Sequence, residues 1–230
     1  NIGYQAGLVC TSSGNVLIGK DAGLSITSGE ANIHIGVRAG DGYDTESNNV
    51  SIGVDSLGGS VAGGEYNTAV GNFTLDALTS GDSNVAVGYQ AGTDIDTGEA
   101  NTMIGTQAGQ NLTSPANNTL VGYGAGGLLT TGGTNTAIGS TALDGCDTES
   151  DNVAIGFAAL GGSLAGGENN IAVGNYTLDA LTAGDHNIAI GHDASTNATT
   201  AVNTVGIGRL ALRDMTCLLY TSPSPRDRTT

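Results

Sequence analysis

Basic residues are scarce in this 230-residue chain: six Lys and Arg stand against 22 Asp and Glu, and residues 1–208 contain only Lys20 and Arg38. Nucleic acid and anionic lipid are held through Lys and Arg, so neither is an expected partner, and no membrane contact by this segment is expected. The formal net charge of −16 keeps an elongated molecule soluble. Runs of helix-forming residues are also missing, and the 39 glycines disfavour helix further. Nucleophiles, bases and metal ligands are sparse, with three His and three Cys spread along the chain. What the chain has in abundance is repetition.

The phrase NVAVGYQAG, residues 84–92, returns as NVLIGKDAG, NTMIGTQAG, NTLVGYGAG, NTAIGSTAL, NVAIGFAAL and NIAIGHDAS. Its Ile/Val-Gly pair sets glycines at Gly3, Gly19, Gly36, Gly53, Gly71, Gly88, Gly105, Gly122, Gly139, Gly156, Gly174, Gly191 and Gly208, 17 residues apart except for one step of 16 and two of 18. Four residues before the glycine stands Asn in 11 of 12 copies: Asn15, Asn32, Asn49, Asn67, Asn84, Asn101, Asn118, Asn135, Asn152, Asn170 and Asn187. In all 13 copies the residue before the glycine is Ile or Val, and the third after it is Ala, Ser or Thr. Helical repeats need about 33 residues or more, so this unit is too short for them. The Asn-to-Gly stretch reads as a short strand, and the Gly-, Asp-, Ser- and Thr-rich remainder as turns.

The expected fold is therefore all-β, a parallel β-solenoid of about 12 coils of 17 residues over residues 1–212. Stacked at the inter-strand distance of ~4.8 Å, the coils make a rod about 58 Å long. A larger repeat overlies the small one: the stretch from Asp41 returns from Asp144, with the insertion GGSxAGGE at Gly58–Glu65 and again at Gly161–Glu168. A block of coils was duplicated whole, which solenoids tolerate because each coil contacts only its neighbours.

Within each strand the first and third residues point one way and the middle one the other. The Ile/Val before each glycine is expected to line the buried interior. The middle row (Leu17, His34, Ser51, Ala69, Ala86, Met103, Leu120, Ala137, Ala154, Ala172, Ala189, Gly206) carries no charge and is mostly small and apolar. A strand apolar on both faces is buried on both, so this second face is expected to meet another copy of the chain. The Asn and Gly columns are read as a structural ladder, with stacked amides bonding up the rod or capping the adjacent turn.

Asn-x-Ala-Ile/Val-Gly-x-x-Ala/Ser resembles the head repeat of trimeric autotransporter adhesins, and NTAIGSTAL at this period equally resembles phage tail-fibre repeats. The resemblance covers residues 1–212. It implies a left-handed β-roll, a homotrimer around one axis, and an extracellular location on a bacterial cell surface or a virion. The coils are longer than the usual adhesin head repeat, and no stalk, anchor or self-cleaving chaperone is present to separate the two. The chain starts inside a coil and reads as a fragment of a longer one. At the other end, CLLYTSPSPRD, residues 217–227, abandons the period and resembles a translated sequencing adapter; residues 213–230 are expected to be an unstructured, non-native tail.

Several local motifs imitate sites. GYGAGG at 122–127 fits G-x-G-x-x-G but is the repeat with extra glycines and no helix after it. GNVLIGKD at 14–21 approaches a P-loop, yet Asp21 stands where Ser or Thr is needed. DIDTGE at 94–99 lacks the later ligands of a calcium loop, and a weak Ca²⁺ site between acidic turns is the one cofactor reading left open. His34, His186 and His192 occupy three different repeat positions and read as surface or groove residues. Cys10 and Cys146 lie about eight coils apart, roughly 38 Å, beyond disulfide reach.

No catalytic, cofactor-binding or metal residue is assigned, and the chain is not expected to be an enzyme. The reading is a structural and adhesive fibre segment, a rigid rod that attaches to a host receptor, a surface or a glycan. The alternatives are a β-helix polysaccharide-degrading enzyme, or an ice- or mineral-binding solenoid. A hexapeptide acyltransferase helix would return its aliphatic anchor every six positions rather than every 17. An ice-binding face would need a regular outward Thr array, and Thr occupies the first strand position only at Thr68, Thr102, Thr119 and Thr136.

Overall fold

The computed structural model describes residues 1–59, 63–163 and 165–214. Most of the expected 213–230 tail, from residue 215 on, lies outside the described residues, as do the centres of the two insertions. The described chain is all-β, with twelve three-residue strands from β1 (Val16–Ile18) to β12 (Val205–Ile207), one per coil. They form a single parallel sheet in strict sequence order, each strand pairing with the next coil's equivalent. Register follows the repeat, so Val85, Ala86 and Val87 pair with Thr102, Met103 and Ile104. The coils form a β-solenoid. Its other walls are turns, also bonded coil to coil, as where the Gly92 amide donates to the Ala108 carbonyl at 3.0 Å.

The repeat glycine is fixed by the stacking. At Gly88 φ is +139°, and a Cβ would lie 2.4 Å from the carbonyl oxygen of Gly105 in the next coil. An L side chain is excluded there by both conformation and space.

The interior is thin and lies within one chain. The middle row of the strands fills it, with Leu17, Ala86, Met103, Leu120, Ala137 and Ala154 all fully buried. Opposite stand the Ala column three residues past the glycine and a larger residue four further on, such as Ile26, Leu78, Ile95, Leu112 and Leu129. This reverses the faces expected from sequence. The Ile/Val before each glycine points outward and is half exposed, 40% for both Ile104 and Ile138, while the Ala-rich row is core and not a face between chains. The row is small because a flat coil leaves little room between its sheet and its turns.

That shortage of room is managed within each coil. A large middle residue faces a glycine six positions on: a Cβ on Gly23 would lie 2.8 Å from Leu17, on Gly126 2.9 Å from Leu120, and on Gly40 2.3 Å from His34. Where the middle residue is Ser51, Ala69, Ala137, Ala154 or Ala172, the same place holds Leu57, Leu75, Leu143, Leu160 or Leu178, all buried. Ala86 and Gly92 are both small, and there Met103 and Leu75 reach in from the adjoining coils, 2.8 and 3.0 Å from where a Gly92 Cβ would stand. In most coils the two positions thus trade size, as dense packing requires, while Ala189 and Ser195 are, like Ala86 and Gly92, both small.

Candidate functional site

The Asn column runs up the edge of the sheet as a continuous buried ladder. Each side-chain oxygen accepts from the backbone amide of the next Asn, as Asn84 Oδ1 does from Asn101 at 3.0 Å. Each side-chain amide donates to a carbonyl of the following turn, as Asn84 Nδ2 does to Gly98 at 2.7 Å. Asn101 Nδ2 also reaches back to Asn84 Oδ1 at 3.1 Å. Thr204 takes the Asn place in the last coil and bonds Asn187 Oδ1 through both its amide, at 3.1 Å, and its hydroxyl, at 2.7 Å. Each side-chain amide thus bonds on both its oxygen and its nitrogen to a neighbouring coil, so the column holds coils together.

Two residues that sequence reasoning passed over have a matching task. Glu46 and Glu149 are each 4% exposed. Glu46 Oε2 accepts from the Asp44 and Thr45 amides at 2.8 and 3.0 Å, and its Oε1 accepts from Gly63 at 3.1 Å. Glu149 repeats this with Asp147 at 2.7 Å, Thr148 at 3.0 Å and Gly166 at 2.8 Å. Each carboxylate ties a turn to the inserted loop of the next coil, and backbone N–H donors compensate its burial. The signal was legible: the tetrapeptide DTES occurs only before the two coils with insertions.

His34 is a further correction, since it is neither on the surface nor in a groove. It sits in the core row, fully buried, with both ring nitrogens lacking a hydrogen-bond partner among the described residues. Burial lowers its pKa from 6.5 to about 4, so it is a neutral core residue near Tyr43, with ring centroids 5.6 Å apart. His186 is exposed, and His192 Nδ1 lies 2.9 Å from Asp193 Oδ2. Cys10 and Cys146 are free thiols. Among the described residues no group of three or more His, Cys, Asp or Glu gathers as a metal site would require. In the 94–99 turn, Asp96 instead accepts from the Thr79 hydroxyl of the preceding coil.

The outward face of the sheet is a surface feature that runs through all twelve described strands. Its two rows are Val, Ile and Thr from Val16 to Ile207, without a charge. Twelve strands at ~4.8 Å and three residues at ~3.3 Å give a face on the order of 600 Å². That reaches the upper end of the largest apolar patch on an ordinary monomer, about 300–600 Å². No helix in the described residues is long and apolar enough to cross a membrane. Comparison with protein-family models, with curated proteins and with solved structures gives no match.

Proposed function

We propose that the chain is a rigid segment of a fibre displayed outside a cell or on a virion, where copies associate side by side and present a repeated surface for attachment. The observation that carries this is the uncharged outward face of Val, Ile and Thr on a molecule otherwise rich in acids. A standard interface buries about 800 Å² per partner, which this face approaches. Identical coil spacing lets copies keep one register along their whole length. The adhesin-head and tail-fibre resemblance supports three copies around one axis, and burial of the Ala-rich row within the chain leaves the outward rows as the face in contact.

The test places one charge on each face. Ile138→Glu is expected to leave the melting curve close to the parent's and to dissociate the assembly in sedimentation equilibrium. Ala86→Glu is expected to abolish cooperative folding, because an unpaired charge would enter the core. A parent that sediments as a monomer at all concentrations, or an assembly indifferent to Ile138→Glu, would refute the reading. A monomer that instead shows thermal hysteresis would favour ice binding, the second use of a flat face with Thr102, Thr119 and Thr136 in succession. Incubation with a polysaccharide panel should give no oligosaccharide release; steady release would favour a β-helix enzyme.

A further inference from the structure

Among the described residues, the turn wall that follows the sheet has a conspicuous notch. Two and five residues past the repeat glycine, one coil carries Gln107 and Gln110, and the coil two further on carries Thr141 and Asp144. The coil between them, GYGAGG at 122–127, has Gly124 and Gly127 at those places. Backbone conformation does not demand Gly124, because its φ of +60° is matched by 59° at Gln107 and 55° at Gln90 in the same position. Core packing does not demand it either, since a Cβ there would meet only Thr141 Cγ2, at 3.8 Å. The omitted side chains leave a groove of about 220 Å³, lined by Gln107, Gln110, Asn111, Tyr123, Thr141 and Asp144.

The groove is built and not merely vacant. Asn111 Nδ2 donates to the Gly127 carbonyl at 2.7 Å, fixing its floor. Asp144 leans across the slot, so that a Cβ on Gly127 would lie 2.6 Å from its Oδ1. Partial burial raises the Asp144 carboxyl above the usual carboxylate range. The side-chain polar groups of Gln110, Tyr123 and Thr141 are engaged by no other described residue, and the Tyr123 ring stands 57% exposed.

We propose that this groove binds one ring of a neutral saccharide. The Tyr123 ring offers a flat apolar surface to the C–H face of a pyranose, while amides, a hydroxyl and a carboxylate offer paired donors and acceptors to its hydroxyls. One aromatic wall with a few convergent polar groups is the usual make-up of a small-molecule site. The volume falls below the roughly 300–1,000 Å³ of drug-sized sites, which suits a single ring. Charge selects against anionic sugars: the groove contains no Lys or Arg, and the chain carries a net −16. The inference rests on the attachment half of the proposed function and not on self-association. Parallel rods would strengthen weak single contacts through multivalency.

The test is a titration of the ¹⁵N-labelled full chain with methyl glucoside, galactoside and mannoside, with glucuronic and N-acetylneuraminic acids as anionic controls. At least one neutral pyranoside is expected to give saturable shifts centred on the amides of Gln107, Tyr123, Thr141 and Asp144. Tyr123→Ala and Gly124→Gln should each weaken them roughly tenfold or more. Gly124→Gln refills the slot with a residue that Gln90 and Gln107 show the position tolerates, so its unchanged melting curve will separate lost binding from lost fold. Absence of saturable shifts with every neutral sugar, shifts unaltered in both variants, or preference for the anionic sugars overturns the proposal. Sedimentation of the same samples keeps the two readings apart. An assembled chain without sugar shifts refutes the groove alone, and a monomer that binds sugar refutes assembly alone.

Discussion

At the scale of single residues, His34 is a weak point of the core. Every other middle-row position is apolar or tiny except Ser51, whose hydroxyl reaches Ser56 Oγ at 2.7 Å, whereas the His34 imidazole is buried with no hydrogen-bond partner for either ring nitrogen among the described residues. Leu17 and Leu120 occupy the same row against Gly23 and Gly126, as His34 does against Gly40, so leucine fits the space. His34→Leu is expected to stabilise the fold by about 1–3 kcal/mol at pH 7.5, by removing unsatisfied buried nitrogens. The gain should grow in acid. The unfolded chain takes up a proton near pH 6.5, but the folded one only near 4, so the parent loses stability as pH falls through that window. At about 1.4 kcal/mol per pH unit, the variant's advantage should widen by about 2 kcal/mol at pH 5. Urea melts of the two chains at both pH values measure this directly; a less stable variant, or a difference independent of pH, would contradict it.

At the scale of the coil, the fold was legible because its period is. The Ile/Val-Gly pair announces one strand per coil, and the Asn four residues earlier marks the strand's start. The faces were harder to read, because an uncharged outward row and an uncharged inward row look alike under a period of two. The size exchange six residues apart, Leu17 with Gly23 but Ala137 with Leu143, identifies the inward row from sequence, since only packed side chains must share a volume. It also makes a prediction. Ala137→Leu alone should cost about 1–3 kcal/mol by overpacking, and Leu143→Gly alone about 2–5 kcal/mol through the cavity it leaves. The double variant recreates the Leu120–Gly126 arrangement and should be more stable than either single one. A double-mutant cycle by chemical denaturation tests this; additive losses would show that the two positions do not share one space.

At the scale of the whole molecule, the groove at Tyr123 and the staples at Glu46 and Glu149 are hidden from the 17-residue pattern because they live in departures from it. An averaged coil contains neither. The outward face is the opposite case: it is the pattern itself, summed over twelve strands. If copies pack there in one register, equivalent residues of different chains lie close together at every coil. The most direct test is a nitroxide at Thr136, on the outward row, in a chain whose Cys10, Cys146 and Cys217 are replaced by alanine. Dipolar spectroscopy should give one narrow inter-chain distance, below about 20 Å because sheets pack face to face ~10 Å apart, and dilution with unlabelled chain should remove it. No inter-chain coupling, or a broad spread of distances, would mean that the face does not bring the rods together.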